Sequence, residues 1–256
     1  MATTTTTTTL PAIIPVTSAV GSCEIRGIFY SDLHKKPPSN GGNLRLSHRS
    51  GRRSEPVTAS SASPERAAVS MSEDVAFVLD TVEVFDLTGK SIPLSDLWRD
   101  RKAVVAFARH FGCVLCRKRA DLLASRKETM DAARVALILI GPGNVEQAKA
   151  FASQTNFKGE VYADTNHSAY KALNFVSGIS TTFTPSAGLK IIQSYMEGYR
   201  QDWKLSFEED TVSRGGWQQG GILVAGPGKE NISYLHKDKE AGDDPDIEDV
   251  LRACCL

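Results

Sequence analysis

Two cysteines three residues apart constrain this chain more than any other feature of its sequence. Cys113 and Cys116 directly follow the apolar run 104–108 and precede a segment with the apolar spacing of a helix. A short continuous apolar run is typical of a strand that is buried on both faces of a sheet. The pair is therefore predicted at a strand-to-helix loop, where the unpaired backbone N–H groups of the helix favour thiolate over thiol.

This spacing suits a redox dithiol. Residues three apart on a helix lie one turn apart on the same face, so a disulfide needs little backbone movement. The more N-terminal sulfur gains most from the helix end and is expected to be the more exposed. Cys113 is therefore predicted to attack a substrate and Cys116 to resolve the mixed disulfide. Arg109 and His110, just before the pair, add positive charge that would lower the thiol pKa values further.

Two alternatives to redox chemistry stay open for these residues. His110, Cys113 and Cys116 offer three metal ligands, but a structural zinc site takes four, usually as two separated pairs. The adjacent Cys254 and Cys255 are a poor spacing for completing such a site, so no metal is expected. The two thiols of the Cys-x-x-Cys pair could also be inert core residues. No cofactor is expected, because neither Gly-Pro-Gly turn continues into a phosphate-binding fingerprint.

The basic residues after the dithiol also have two possible roles. Arg117, Lys118 and Arg119 could lower the thiol pKa values, or they could form a solvated helix face, which is the ordinary role of such charges. The solvated face is the preferred reading for Lys118 and Arg119.

Strands and helices alternate through most of the body of the chain. A first helix is predicted near 73–79 and a strand-turn-strand unit over 81–94, followed by a short helical piece ending near Lys102. Further strands are predicted at 104–108, 135–140, 160–163, 222–225 and 232–236, with helices at 117–133, 145–155 and 166–174. This order predicts an α/β domain with a mixed central sheet flanked by helices.

Two later segments add helices to this pattern. Residues 175–220 break the alternation, and their spacing predicts a helix over 189–203 whose apolar face packs over the sheet or a partner; that face holds Ile192, Tyr195, Met196, Tyr199 and Trp203. In the last helix, Asp244 is the predicted cap and Pro245 the first residue. That helix turns Cys254 toward the core and Cys255 outward.

The first 70 residues differ in composition from the rest. They hold 20 Ser and Thr, including the run 3–9, and eight of the 30 basic but only four of the 30 acidic residues. Such a leader is typical of an organellar transit peptide, and the hydroxylated residues after Met1 and Ala2 favour the plastid, with the chloroplast stroma as the expected location. A merely disordered tail is the alternative. The folded domain is expected to be 71–256.

Charge and hydropathy exclude two classes of partner. No window of the sequence is long and apolar enough to suggest a membrane span. The body of the chain is faintly acidic, whereas nucleic-acid binding needs a basic face, so no nucleic-acid partner is expected.

Several motifs resemble those of a known family. The segment from Phe85 to Leu97 (Phe-Asp-Leu-x-Gly-Lys-x-x-Pro-Leu-x-Asp-Leu), followed by a buried strand and a cysteine at a helix start, is similar to the front half of AhpC/TSA domains. Arg-His-Phe-x-Cys-x-x-Cys at 109–116, residues 164–173, and Gln-Gly-Gly-x-Leu-x-x-Gly-Pro-Gly at 219–228 resemble the peroxiredoxin-like 2 group. The similarity covers roughly residues 75 to 252. It implies a thioredoxin-like fold with an inserted helical segment before the last hairpin.

The resemblance also implies an activity. Proteins of this kind use a reactive cysteine to reduce a disulfide or a hydroperoxide, at the expense of an external thiol donor of the thioredoxin type or glutathione. Peroxiredoxins proper have Pro-x-x-x-Thr-x-x-Cys, and if Cys116 matches that cysteine, Arg109 stands at the proline and Cys113 at the threonine. Their transition-state arginine has no counterpart, since Gln219 or Gly220 lies there. A non-enzymatic redox-sensing or partner-binding protein is therefore the alternative function.

Overall fold

The structure, a computed structural model, describes residues 75–214 and 216–255. The predicted leader, 1–70, lies outside the described residues. Seven strands form one sheet: β1 (Glu83–Phe85), β2 (Ser91–Pro93), β3 (Lys102–Phe107), β4 (Val135–Pro142), β5 (Glu160–Asp164), β6 (Gly221–Ala225) and β7 (Ile232–Lys237). Their order in the sheet is β2-β1-β5-β4-β3-β6-β7.

The helices lie between these strands and after them. They are α1 (75–80), a 3-10 helix (Leu94–Trp98), α2 (Val114–Ala124), α3 (Lys127–Ala132), α4 (Val145–Gln154), α5 (Ser168–Ala172), α6 (Ile179–Thr182), α7 (Pro185–Met196), α8 (Trp203–Ser206), α9 (Glu209–Arg214) and α10 (Ile247–Cys255). The segment from α6 to α9 is the inserted helical segment, and it precedes the β6–β7 hairpin.

The sheet is mixed, as predicted. Strands β3, β4 and β5 run parallel and are joined through helices, whereas β1, β2, β6 and β7 pair antiparallel with their neighbours. This architecture confirms the thioredoxin-like α/β fold. For 117–133, where the pattern suited either one amphipathic helix or a helix with one break, the structure has the break, because α2 and α3 are separated at residues 125–126.

The apolar strands are buried on both faces, which explains why their sequences run apolar without alternation. On one face, Val105 and Phe107 of β3 pack in a cluster with Trp98 and Tyr170. On the other face, residues of the same strand pack against α2, α3 and α10, in a cluster that includes Val104, Ala106, Leu123, Met130, Val250 and Cys254. Strand β3 is therefore at the centre of the core, and the dithiol follows its carboxyl end.

The predicted helix over 189–203 is wrong at both ends. Helix α7 begins at Pro185, after Thr184, whose side chain accepts from the backbone N–H of Ala187 (3.0 Å). It ends at Met196 because Gly198 adopts a positive φ of 97°. Such a glycine just past the last turn is a common helix terminator.

The apolar face of α7 matches the prediction only in part. Ala187 and Ser194 are its buried residues, and Ile191 and Tyr195 pack partly against the core. Ile192 and Met196, which were predicted to pack, are 60% and 84% exposed. Trp203 begins a separate short helix, α8, so it does not continue the face of α7.

The last helix starts later than predicted. Helix α10 begins at Ile247, and the side chain of Asp246 accepts from the backbone N–H of Glu248 (2.9 Å). Asp244, the predicted cap, instead forms an ion pair with Arg119 of α2. The prediction for the cysteine on the inner face of this helix is confirmed, because Cys254 is buried.

Within the two described stretches of the chain, no helix combines the length and the apolar character needed to cross a bilayer.

Candidate active site

The loop that carries the two cysteines is held by the sheet at its start. The backbone N–H of Ala108 donates to the carbonyl of Ile140 (2.8 Å), so the pairing of β3 with β4 continues one residue further. The hydroxyl of Tyr170, on α5, is buried between the carbonyl oxygens of Ala108 (2.6 Å) and Ile140 (3.0 Å). Three elements therefore fix the residue that precedes Arg109.

The structure places Cys113 and Cys116 at the strand-to-helix junction, as predicted. Cys113 is the N-cap residue of α2, with extended backbone angles of −69° and 124°, and Cys116 lies in the first turn. Neither forms a disulfide within the described chain. The two residues are only 2% and 5% exposed. The expectation that Cys113 is the more exposed of the pair is wrong, because the inserted segment covers this helix end.

Arg109 lies beside both sulfurs. Its guanidinium Nη1 is 3.7 Å from the Sγ of Cys113, and its backbone N–H donates to the Sγ of Cys116 (3.1 Å). Because Arg109 is 6% exposed, little water screens its charge. One residue thus supplies a cation to one sulfur and a hydrogen-bond donor to the other.

The Arg109 side chain is oriented by groups from the insertion and from the loop before β6. Its Nε donates to the carbonyl of Gln218 (3.3 Å), and its Nη2 donates to the carbonyl of Gly216 (3.3 Å) and the hydroxyl of Thr182 (3.2 Å). The Thr182 oxygen also accepts from Nε2 of Gln219 (2.9 Å). No sequence motif pointed to Thr182. Gln219, which with Gly220 is one of the two residues at the expected place of the peroxiredoxin arginine, contacts Arg109 only through Thr182.

The two thiols have opposite pKa shifts. A hydrogen bond from the Cys116 thiol, assisted by the Arg109 guanidinium, holds the pKa of Cys113 well below its usual range, although burial acts in the other direction. Burial, and next the neighbouring Cys113, raises the pKa of Cys116 well above its usual range. Cys113 is therefore the thiol that loses its proton more readily of the two. This division matches a nucleophile and a resolving thiol.

His110 is close to the dithiol but does not add positive charge to it at neutral pH. Burial lowers the pKa of His110 to about 4, so the ring is neutral at neutral pH, although a charged His110 would favour the Cys113 thiolate. Its Nδ1 has no hydrogen-bond partner among the described residues. A neutral imidazole presents one donor and one acceptor nitrogen, so it can hydrogen-bond to an oxygen of a bound molecule.

Residues 199–214, here called the cap segment, cover the N-terminus of α2. The side-chain oxygen of Gln201 accepts from the first backbone N–H of that helix (2.8 Å), and the backbone N–H of Asp202 donates to the carbonyl of Gly112 (2.9 Å). The contact is so close that a Cβ at Gly112 would lie 2.5 Å from the Ser206 hydroxyl. Only glycine fits there without displacing the cap segment.

A cavity of about 360 Å³ is lined by the dithiol loop, α6, α7 and the cap segment. Arg109 and His110 supply polar groups to one side of it. The remaining lining is mainly apolar and aromatic, including Phe183, Ile191, Tyr195, Trp203, Phe207, Val212 and Trp217. An apolar cavity with a few convergent polar groups is the usual form of a small-molecule site.

Comparison with known proteins identifies the family. The profile of the AhpC/TSA antioxidant enzyme family matches residues 122–240. The chloroplastic thioredoxin-like protein AAED1 of Arabidopsis thaliana is 73% identical over 177 residues, which are 69% of this chain and 71% of that protein. The chain belongs to the AhpC/TSA family. Human peroxiredoxin-like 2C is 29% identical, with 70% and 80% of the two chains covered. Prostamide/prostaglandin F synthase of Salmo salar is 31% identical, with 65% and 81% covered.

Membership of the AhpC/TSA family and the thioredoxin-like fold support a redox function. The structure brings together the four residues that the sequence singled out, Cys113, Cys116, Arg109 and His110.

The basic residues after the dithiol have different environments in this family member. Lys118 pairs with Glu197 (2.7 Å) at the surface, which matches the solvated reading. The prediction of a solvated side chain is wrong for Arg119, which is buried. It pairs with Asp238 (2.9 Å) and with Asp244. Arg117 is largely buried and lies 3.4 Å from a carboxylate of the cap segment.

Proposed function

We propose that this protein is a thiol-dependent oxidoreductase in which Cys113 is the nucleophile and Cys116 the resolving thiol. One observation carries the proposal: the Cys113 sulfur lies beside the Cys116 thiol and the Arg109 guanidinium, and both groups lower the pKa of Cys113 although the site is buried. A thiolate with a fixed cation beside it is the reactive form of cysteine.

For a hydroperoxide, the electrons and protons balance as follows. The Cys113 thiolate attacks the terminal oxygen, the O–O bond breaks, and the leaving alkoxide takes up a proton to become an alcohol. The sulfur is left as a sulfenic acid. Cys116 then attacks that sulfur, water leaves, and a disulfide forms. Two thiols of an external donor, of the thioredoxin type or glutathione, reduce it again. The Arg109 charge stabilises the developing alkoxide.

The cavity favours an organic hydroperoxide over a protein disulfide as the substrate. An extended peptide would need an open groove, whereas both sulfurs are buried beside a cavity of about 360 Å³. Its aromatic walls suit an apolar group, and Arg109 with the unpaired nitrogen of His110 suits the peroxide oxygens. Specificity would then come from the apolar part of the substrate, since hydrogen peroxide has none to bury.

The assignment of the two cysteines is tested by turnover of cumene hydroperoxide with a thiol donor. We expect Cys113→Ser to abolish turnover, because no sulfur remains to attack. Cys116→Ser is expected to retain one round of peroxide consumption and to accumulate the sulfenic acid of Cys113, detected by intact mass. If Cys113→Ser retains peroxide consumption and Cys116→Ser does not, the roles are reversed. Unchanged turnover in both variants would overturn the proposal.

A second candidate function is redox sensing through a partner, without turnover. The exposed apolar side chains of α7 favour it, since Leu189, Ile192 and Met196 are 69%, 60% and 84% exposed. A disulfide that forms and is reduced with no catalytic rate, together with a change in partner binding on oxidation, would support this function over the enzyme.

We also propose that residues 1–70 are a transit peptide that directs the domain 71–256 to the chloroplast stroma. The composition of the leader supports this, as does the 73% identity to a chloroplastic relative. Fusion of residues 1–70 to a fluorescent protein should send it into plastids with cleavage of the leader. A fusion that stays in the cytosol would contradict the proposal.

A further inference from the structure

A second pair of thiols lies away from the proposed reaction. Cys254 and Cys255 are the last two residues of α10, and their sulfurs are 3.1 Å apart. Cys254 is 2% exposed, whereas Cys255 is half-buried and reaches solvent. Cys254 lies near Lys102, at the start of β3, while the Cys113–Cys116 dithiol follows the opposite end of that strand. The two thiol pairs therefore lie toward opposite ends of β3.

The geometry of α10 opposes a disulfide between these two residues. Adjacent Cα atoms across a trans peptide are about 3.8 Å apart, whereas ordinary disulfides join Cα atoms about 4.4–6.8 Å apart. Closing the bond would also require the last helical turn to distort. Cys254 and Cys255 should therefore remain thiols under conditions that oxidise the first pair.

A pair of thiols that stays reduced is a ligand for soft centres. Among the described residues, no group of three or more His, Cys, Asp or Glu side chains is arranged to hold a metal ion. A tetrahedral zinc site, which needs four ligands, is therefore not available here. Any atom bound here must therefore be held by only two sulfurs of this chain.

The sulfur–sulfur distance indicates which geometry of the bound centre fits this pair with the least movement of the side chains. With a bond of roughly 2.3 Å to each sulfur, a linear centre would hold the sulfurs about 4.6 Å apart and a tetrahedral one about 3.8 Å. A pyramidal centre with bond angles near a right angle would hold them about 3.3 Å apart, by the same bond length. The observed 3.1 Å between the two hydrogen-bonded thiols is nearest to the pyramidal case. Trivalent arsenic is a soft, thiophilic centre with that geometry.

We propose that Cys254 and Cys255 form a chelating site for trivalent arsenic compounds. With an arsine oxide, both S–H bonds break and two As–S bonds form. The oxide oxygen leaves as water with the two protons, and no atom changes oxidation state. Cys255, which reaches solvent, binds first. Cys254 then closes the ring within the complex, although burial raises the pKa of its thiol to about 12.

Phenylarsine oxide is the probe that tests this site. The full-length chain carrying Cys113→Ser and Cys116→Ser removes the other dithiol, and intact mass then counts bound phenylarsenic groups. We expect one group per chain, retained in excess glutathione and released by dithiothreitol. The arsenic should be retained because the two sulfurs are held next to each other. Glutathione, with a single thiol, then competes poorly with the chelate.

The matched controls change one sulfur at a time in the same background. Cys255→Ser, at a half-buried position, should leave the fold intact and lose the glutathione-resistant group. Cys254→Ser should behave alike, and circular dichroism checks its fold because this site is buried. The proposal is overturned if the parent chain loses the arsenical to glutathione as readily as the Cys255→Ser chain does. It is also overturned if the Cys255→Ser chain retains the group.

Discussion

Arg109 has a role that its position in the sequence only partly predicts. The motif indicates a positive charge near the dithiol, and the structure shows its guanidinium 3.7 Å from the sulfur of Cys113. If Cys116 matches the reactive cysteine of peroxiredoxins proper, Arg109 stands at their proline, and their later arginine has no counterpart in this chain. In this protein the cation is Arg109, which precedes the two cysteines in the sequence. Thr182 holds its side chain directly and Gln219 does so indirectly.

Replacing Arg109 should change the pH at which Cys113 reacts. The pKa of Cys113 is lower in the folded chain than in the unfolded chain, so the folded chain keeps the thiolate to a lower pH and loses it as the pH falls through the folded value. Arg109→Gln removes a charge that favours the thiolate, so the midpoint of the iodoacetamide alkylation profile should rise. Below the midpoint, each unit of rise slows alkylation about tenfold.

The control for this charge is Lys118→Gln, because Lys118 pairs with Glu197 at the surface instead of with a sulfur. Its alkylation profile should match that of the unaltered chain. Equal profiles for Arg109→Gln and the unaltered chain would show that Arg109 does not set the reactivity of Cys113.

The thiol proton of Cys116 should also affect the pKa of Cys113. The hydrogen bond from the Cys116 thiol is the main cause of the lowered pKa of Cys113. Cys116→Ser keeps a donor at that position and Cys116→Ala removes it. We expect the midpoint for alkylation of Cys113 to be higher in the alanine variant than in the serine variant, because only serine can donate to the thiolate. Equal midpoints would exclude the hydrogen bond as the cause.

The sequence could predict the residues of the site that are near one another along the chain. Cys113, Cys116, Arg109 and His110 fall within eight positions of a single motif. The groups that orient and cover them are about 70 to 110 residues further on, in a segment with no motif. A pattern that depends on local spacing cannot show that a threonine of α6 meets this arginine. Nor could it show that burial leaves His110 neutral.

The cap segment contacts the loop before α2, and we propose that this contact limits access to the dithiol. At Gly112 an added Cβ would meet the hydroxyl and the backbone N–H of Ser206 at 2.5 and 2.8 Å. Gly112→Ala should therefore push α8 away, lower the free energy of unfolding by about 1–3 kcal/mol, and increase the alkylation rate of the dithiol at fixed pH. Thermal melts and iodoacetamide kinetics measure the two effects.

Gly188→Ala is the matched control for this substitution. Gly188 lies within α7, and a Cβ there would meet nothing within 4 Å. Alanine favours a helix interior by roughly 1 kcal/mol over glycine, so this variant should be slightly more stable, with an unchanged alkylation rate. An increased alkylation rate in the Gly188→Ala chain, or an unchanged rate in the Gly112→Ala chain, would contradict the proposed role of the cap segment.

Helix α7 shows where helix prediction from apolar spacing fails. The pattern over 189–203 continued through Gly198, whose positive φ ends the helix. The start was signalled by Thr184 and Pro185, a capping residue followed by proline, but the spacing of later apolar residues outweighed that signal. Burial then followed small side chains, Ala187 and Ser194, because they allow the helix to approach its neighbours.

The sheet as a whole was the most predictable part of the molecule. The runs that became β3 and β4 are apolar along their length, and both faces of these strands are covered by helices. A fully buried strand and an alternation of strands with helices are signals that do not depend on distant contacts. The order of the strands in the sheet is not such a signal, because it depends on which edges pair after collapse.

The stability of the domain and the position of the site are coupled at Tyr170. Its buried hydroxyl donates to the carbonyls of Ala108 and Ile140, and so ties α5 to the ends of two central strands. Tyr170→Phe keeps the ring but leaves the Ala108 carbonyl without this donor. We expect the free energy of unfolding to fall by about 1–3 kcal/mol, measured by urea denaturation. Tyr199→Phe is the control, because the hydroxyl of Tyr199 donates to Asp121 near the surface, where water can replace it. Its loss should stay under about 1 kcal/mol. Equal losses in the two variants would mean that the junction of β3, β4 and α5 adds nothing beyond an ordinary surface hydrogen bond.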